Sequence, residues 1–303
     1  MAKSASKLRI EADGHTIECT NTDRVVFPEV GVTKGDVIEY YSDLADIMLP
    51  ELTGRPLTIE RYTKGLAGGG FMQKHYQKHF PPWIESVTLG AKTVVTYPMA
   101  NTAAALVYFA NQGALAFHIW TSREATPTQP DLIVFDLDPP EGGFELVRQS
   151  ALILHDELDR LGLPAFVKTT GSKGLHVVSP IAGDDDFDDT STLVQELGKQ
   201  LVAKHPKLMT LEFYKKDRGG RLYFDAARNH AGATFVAAYS LRGKANAPVS
   251  TPLEWDELND KKLRSDAHTL QTVRERLAKN GDPWKHLRKK PGSATKALKK
   301  LRG

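Results

Sequence analysis

The sequence predicts a mixed α/β fold, and three stretches carry that prediction. Residues 131–140, Asp-Leu-Ile-Val-Phe-Asp-Leu-Asp-Pro-Pro, read as a short buried strand, because β-branched and aromatic residues dominate and two prolines stop it. Behind it Phe144, Val147, Ala151, Leu154, Leu158 and Leu161 recur at three and four residues, the period of an amphipathic helix that Gly162 is placed to end. A second apolar strand, Leu222-Tyr223-Phe224-Asp225, ends like the first in an aspartate. Strands and helices that interleave in this way belong to sheets covered by helices.

The remaining elements follow in chain order. Residues 9–20 alternate apolar and polar side chains and predict an early strand or hairpin, closed by the turn Thr20-Asn21-Thr22-Asp23. Thr33-Lys34-Gly35-Asp36 has the spacing of a capping box, with Val37, Ile38, Tyr41, Leu44, Ala45 and Met48 at helical period behind it. Lys34 then stands in the first turn, where free backbone N–H groups and a cation favour an anion such as phosphate; an ordinary exposed lysine is the alternative. Between Arg55 and Trp83, basic residues alternate with Tyr62, Phe71, His75, Tyr76, His79 and Phe80 around the loop Gly68-Gly69-Gly70. That mixture fits a surface that tracks a nucleic-acid backbone and stacks on bases, and equally a loop whose aromatics tuck into the core. Residues 102–115 predict a buried helix, and His118 beyond it reads as a core histidine.

After the aspartate strand and its helix, residues 165–169 and 175–178 predict two strands around Thr170-Gly171-Ser172-Lys173-Gly174. This turn is suited to phosphates through its backbone N–H groups and the lysine ammonium, although a plain hairpin turn has the same composition. It is not a Walker loop. Residues 190–204 form another helix, Lys215, Lys216, Arg218 and Arg221 precede the second aspartate strand, and Tyr239-Ser240-Leu241-Arg242-Gly243-Lys244 adds a further basic cluster. Helical connections run from Leu253 to Leu277, and a basic tail begins at Gly281.

Composition narrows the chemistry. With 303 residues, 41% hydrophobic and 25% charged, the chain can bury a sizeable core. No run approaches the ~20 apolar residues of a membrane span, and residues 1–7 lack a signal-peptide core, so the expectation is a cytoplasmic protein with no membrane partner. Cys19 is the only cysteine, which excludes intrachain disulfides and cysteine-cluster zinc and leaves oxygen or histidine ligands for any metal. The net charge is only +3, but six residues at 184–189 hold five aspartates, so the rest is more basic and permits a nucleic-acid partner.

Along a strand side chains alternate, so Asp136 and Asp138 point the same way. Two neighbouring carboxylates repel unless one is protonated or a cation lies between them, and Mg²⁺ or Mn²⁺ is the simplest resolution; two solvated aspartates at a strand end are the alternative.

Taken together, Phe135-Asp136-Leu137-Asp138-Pro139, Gly171-Ser172-Lys173-Gly174-Leu175-His176, Phe224-Asp225 and Tyr239-Ser240-Leu241-Arg242-Gly243 resemble the signatures of the archaeo-eukaryotic primase superfamily, and within it the polymerase domain of bacterial ligase D. The matching order runs from about residue 18 to about residue 285. The resemblance implies one primase-polymerase catalytic domain over 1–303. It would comprise an N-terminal lobe to about 130, a metal- and nucleotide-binding core with an RRM-like sheet over about 131–250, and a helical, basic segment from 251. It implies Asp136, Asp138 and Asp225 as catalytic ligands of two Mn²⁺ or Mg²⁺ ions, and His118, Ser172, Lys173, His176, Arg218 and Arg242 around the incoming NTP or dNTP. It also implies Arg24 and Lys34 on a downstream 5′-phosphate, with Phe71 and Lys74 along the DNA. Glu60 and Met72 depart from the family, which often has a lysine and a second aromatic there, and put template grip in question. The expected activity is template-dependent nucleotide addition at short gaps or broken ends, with ribonucleotides as the expected substrates. The chain resembles a stand-alone member of a bacterial, nucleoid-associated repair system, acting with Ku and a ligase in trans or filling gaps in excision repair. A haloacid-dehalogenase-like phosphatase shares the Asp-x-Asp strand, but its usual Thr or Val is Pro140 in this chain. A non-catalytic DNA-binding module leaves three strand-end aspartates without a reason.

Overall fold

The computed structural model describes residues 7–90, 93–140 and 142–303, apart from the side chain of Ala227. Its chain forms two compact units. The first gathers residues 1–119, 236–250 and 268–275, the second 120–235, 251–267 and 276–303. The backbone therefore crosses between them five times, and residues 236–250, which the family resemblance implies as part of the segment about 131–250, cluster with residues 1–119.

In the first unit the predicted hairpin is present as Lys7–Ala12 against His15–Thr20. Asp13 and Gly14 turn it at φ 48° and 75°, the left-handed pair that matches strand twist. Thr33 closes its capping box on Asp36 and opens the helix Lys34–Asp43, which breaks at Leu44 and resumes as Ala45–Leu52. The strand Leu57–Arg61 pairs antiparallel with Phe71–Gln73 on one side and Ala114–Trp120 on the other. The helix expected over 102–115 stops at Asn111, and Gly113, at φ 86°, turns the chain into the Ala114–Trp120 strand. Both elements are apolar nearly all round, so periodicity alone could not part them. The segment around Tyr239 is held in this unit by Tyr40, whose hydroxyl donates to the Tyr239 carbonyl at 2.8 Å, and by Tyr41, whose oxygen accepts from the Leu241 N–H at 2.9 Å.

The second unit is a six-stranded sheet ordered Met209–Thr210, Leu222–Asp225, Leu132–Asp138, Leu175–Pro180, Phe166–Thr169, Pro252–Leu253. The aspartate strand runs antiparallel to both its neighbours. Ile133, Phe135, Leu137, Leu175, Val177 and Phe224 enter one core with Val147, Leu154 and Leu158 of the helix Phe144–Leu161 and Leu193 and Leu197 of the helix Phe187–Lys204. Alternation then assigns the opposite sheet face to Asp136, Asp138, His176, Lys168, Tyr223 and Asp225.

The expected basic tail is in fact a docked helix, Ala294–Arg302, with Ala294, Ala297, Leu298 and Leu301 buried in that core. Its apolar stripe is hidden in sequence by the lysines between. Asp185 caps it, one oxygen accepting from Ala294 N–H at 2.7 Å and the other from Thr295 N–H at 2.9 Å. Asp186 and Asp189 form the capping box of Phe187–Lys204. The acidic run thus starts two helices rather than forming a solvated patch. Among the described residues no helix is long and apolar enough to cross a membrane.

Candidate active site

The antiparallel register puts Asp136 directly opposite Asp225 on one side and His176 on the other, while Asp138 faces Tyr223. Gly174 explains how the next turn comes so close: a Cβ there would overlap the Leu137 carbonyl oxygen, which lies between the two aspartates of the strand. Asp136 and Asp225 are largely buried and Asp138 is exposed. Burial pushes the Asp136 carboxyl up to about 6, opposed by Arg228 and reinforced by the charges of Asp138 and Asp225. His176 Nε2 stands 3.6 Å from Asp136 Oδ1.

A cation of the chain itself lies between Asp136 and Asp225, two of the three carboxylates. Arg228 Nε lies 3.1 Å from Asp136 Oδ2 and 3.1 Å from Asp225 Oδ2. Its position is set by Asn229, whose amide accepts from the Val134 N–H at 2.9 Å and donates to the Val134 carbonyl at 2.8 Å. Asn229 thereby takes over the ladder beyond Asp225, where the neighbouring strand turns into the short helix Ala226–Arg228. Neither Arg228 nor Asn229 was singled out from the sequence, although the i,i+3 spacing of Asp225 and Arg228 was readable. Among the described residues no three His, Cys, Asp or Glu side chains already enclose a metal position. The donor set nevertheless suits a hard divalent ion: three carboxylates on one sheet face, two in register, held together against their repulsion by a positive charge.

The predicted turn joins Phe166–Thr169 to Leu175–Pro180, but its backbone does not offer the expected N–H groups. Those of Ser172, Lys173 and Gly174 point inward, 3.2, 3.3 and 3.2 Å from the Thr170 hydroxyl oxygen. The polar side chains of this turn are Ser172, half-buried, and Lys173, exposed. Both line a pocket of about 210 Å³ with Pro139, Phe144, Arg264 and Asp266. The helix Phe144–Leu161 starts at this pocket from Gly143, which provides no side-chain cap. An uncapped helix start with two cations suits an anion. Arg218 is buried: it donates to the carbonyls of Glu212 at 3.2 Å and Phe213 at 2.8 Å, and its guanidinium lies 4.1 Å over the Tyr223 ring. Phe213 and Tyr214 beside it are exposed aromatics that the sequence reading passed over.

The other expected residues belong to the first unit. His118 sits on Ala114–Trp120 opposite Thr58, and Arg242 follows Leu241, whose isolated bridge is to Val249. Gly243 is required because a Cβ there would overlap the Tyr62 hydroxyl. That hydroxyl donates to Glu60 at 2.8 Å, and burial, with Glu60, pushes it up to about 12. Phe71 and Met72 are exposed, Phe71 lies 5.6 Å under the Arg61 guanidinium, and Lys74 is exposed nearby in sequence. The helix start at Lys34 is not the open anion site expected of it. The N–H groups of Lys34, Gly35 and Asp36 donate to Arg24 O, Thr22 O and Thr33 Oγ1, and the Lys34 ammonium donates to Thr20 O and Asn111 Oδ1, both at 2.6 Å. Arg24 donates to the Thr63 carbonyl at 2.7 Å.

A family model described as LigD, primase-polymerase domain, matches residues 33–284. The multifunctional non-homologous end joining protein LigD of Mycolicibacterium smegmatis is 35% identical over 272 residues, covering 88% of this chain and 35% of that protein. The LigD proteins of Pseudomonas aeruginosa and Bacillus subtilis are each 30% identical, covering 93% and 88% of this chain and 34% and 43% of their own lengths. This chain therefore spans about a third to two fifths of these curated relatives. Among solved structures, the polymerase domain of Mycobacterium tuberculosis ligase D in complex with DNA superposes with a TM-score of 0.85 at 33% identity, over 89% of this chain and 97% of that one. The phosphatase reading finds no support in these matches.

Proposed function

Because this chain belongs to the LigD primase-polymerase domain family, we propose that it is a template-dependent nucleotidyltransferase that extends a DNA 3′-hydroxyl at broken ends or short gaps. The observation that carries this is the gathering of Asp136, Asp138 and Asp225 on one face of a sheet whose next turn puts Ser172 and Lys173 into a pocket. Asp136, Asp138 and Asp225 would hold Mg²⁺ or Mn²⁺, which when bound lowers the pKa of the attacking hydroxyl and offsets the charge of the leaving pyrophosphate. Lys173 offsets negative charge on the triphosphate, and the Ser172 hydroxyl orients it by hydrogen bonding. His176 Nε2 stands 3.6 Å from Asp136 Oδ1, while the other oxygen of that carboxylate is held by Arg228 at 3.1 Å.

The finer assignments rest on the family resemblance. These are a preference for ribonucleotides, cooperation with Ku and a ligase, gap filling in excision repair, and recognition of a downstream 5′-phosphate by Arg24 and Lys34. For that recognition Lys34 must exchange Thr20 and Asn111 for the phosphate. Primer extension on gapped duplexes, with and without a 5′-phosphate, comparing NTP with dNTP and Mn²⁺ with Mg²⁺, tests the whole set. Template-directed addition is the expected result. A protein that binds gapped DNA but incorporates no nucleotide under any of these conditions is a binding module instead.

A further inference from the structure

We propose that Arg228 is the resident counterion of the aspartate site, a positioning residue that must withdraw before a divalent ion enters and that thereby sets the site's metal affinity. The inference rests on the reading of Asp136 and Asp225 as metal ligands. One atom, Arg228 Nε, reaches Oδ2 of both aspartates at 3.1 Å, so the guanidinium already engages an oxygen of each carboxylate for which an incoming divalent ion would compete. A guanidinium stays charged throughout the physiological range, so it neutralises the pair permanently and cannot leave by losing its proton. Its backbone is fixed, because Asn229, the next residue, is clamped to Val134 through both the N–H and the carbonyl. The head group is not: the Arg228 side chain is 47% exposed and swings toward solvent without opening the core. Asp136 keeps His176 near its other oxygen meanwhile. The arrangement lets the metal-free protein hold two facing carboxylates in register, at the cost of competition with the ion.

Calorimetric titration of the metal-free full chain with Mn²⁺, on the unmutated protein, Arg228→Gln and Arg228→Lys, tests this. Removing the charge in Arg228→Gln should tighten Mn²⁺ binding by about ten-fold and lower the metal-free melting temperature, with saturating Mn²⁺ restoring it. Arg228→Lys, which keeps the charge, should bind Mn²⁺ like the unmutated protein. If Arg228→Gln folds, by circular dichroism, and binds Mn²⁺ no tighter while the unmutated protein binds it well, the counterion role is overturned and the metal reading stands. Failure of Arg228→Gln to fold even at saturating Mn²⁺ overturns it too, since Arg228 would then be structural. Should neither protein bind Mn²⁺, the aspartates are not metal ligands and both readings fall.

Discussion

Asp136 carries the clearest conflict between stability and chemistry. Its folded pKa of about 6 lies above the ordinary carboxylate value, so the folded state holds its proton more tightly than the unfolded chain. Its contribution is therefore fully favourable below about pH 4, is lost as pH rises through 6, and leaves an unfavourable ionised group at pH 7. Asp136→Asn is accordingly expected to abolish nucleotide addition, by at least about a thousand-fold, without lowering the metal-free melting temperature at pH 7. Near-normal primer extension by this variant would remove the aspartate from the chemistry. Lys34 has the opposite sign. Burial, with Arg24 beside it, lowers its ammonium to about 8, so at pH 7 a charged group sits in a poor place for it, and stability rises as pH climbs through 8 toward 10. An anion would relieve that position. Anisotropy titrations of gaps ending in 5′-phosphate and 5′-hydroxyl should show a preference for the phosphate near pH 7 that fades above about pH 8; a preference unchanged at pH 9.5 would assign it elsewhere. The aspartates were legible because strand alternation fixes their direction from sequence alone. The inward ammonium of Lys34 was not, because its acceptors, Thr20 at a strand end and Asn111 at a helix end, lie 14 and 77 residues away in sequence.

At the scale of elements, the turn Thr170–Gly174 and the caps decide most. Gly174 meets the Leu137 carbonyl so closely that Gly174→Ala must push the turn off the aspartate strand, shifting Lys173 and the pocket wall together. The expected result is a loss of about 2–4 kcal/mol of stability, read from urea unfolding, with a raised KM for nucleotide at temperatures where the variant remains folded. Asp185→Ala leaves the Ser293 cap but removes the acceptors of the Ala294 and Thr295 N–H groups at the start of Ala294–Arg302, and should cost about 1–2 kcal/mol in the same measurement, with protease cleavage near residue 293 as its local sign. Helices with a strong stripe, such as Phe144–Leu161, were readable with their ends, Gly162 included. The Ala294–Arg302 helix was not, since four apolar positions among lysines look like a solvated tail until the surface they cover is known. The capping role of the acidic run was likewise not legible: a capping aspartate and a solvated one have the same letter.

For the molecule as a whole, the two compact units do not follow sequence order. The mixed α/β class followed from local pattern, but the return of residues 236–250 to the first unit depends on Tyr40 and Tyr41, about two hundred residues away. A chain truncated after residue 250 keeps all three aspartates yet loses Pro252–Leu253 from the sheet edge, Ser265 from the Thr170 turn, and the Ala294–Arg302 helix from the core. It should express as an aggregating or molten species without cooperative thermal unfolding; a sharp two-state transition in that fragment would contradict the partition. The five crossings between the units also bear on inheritance. Neither unit is encoded by an uninterrupted stretch of sequence, so no single crossover between two related genes can exchange one and leave the other whole. Exchanging one unit whole would take a crossover at each of the five boundaries.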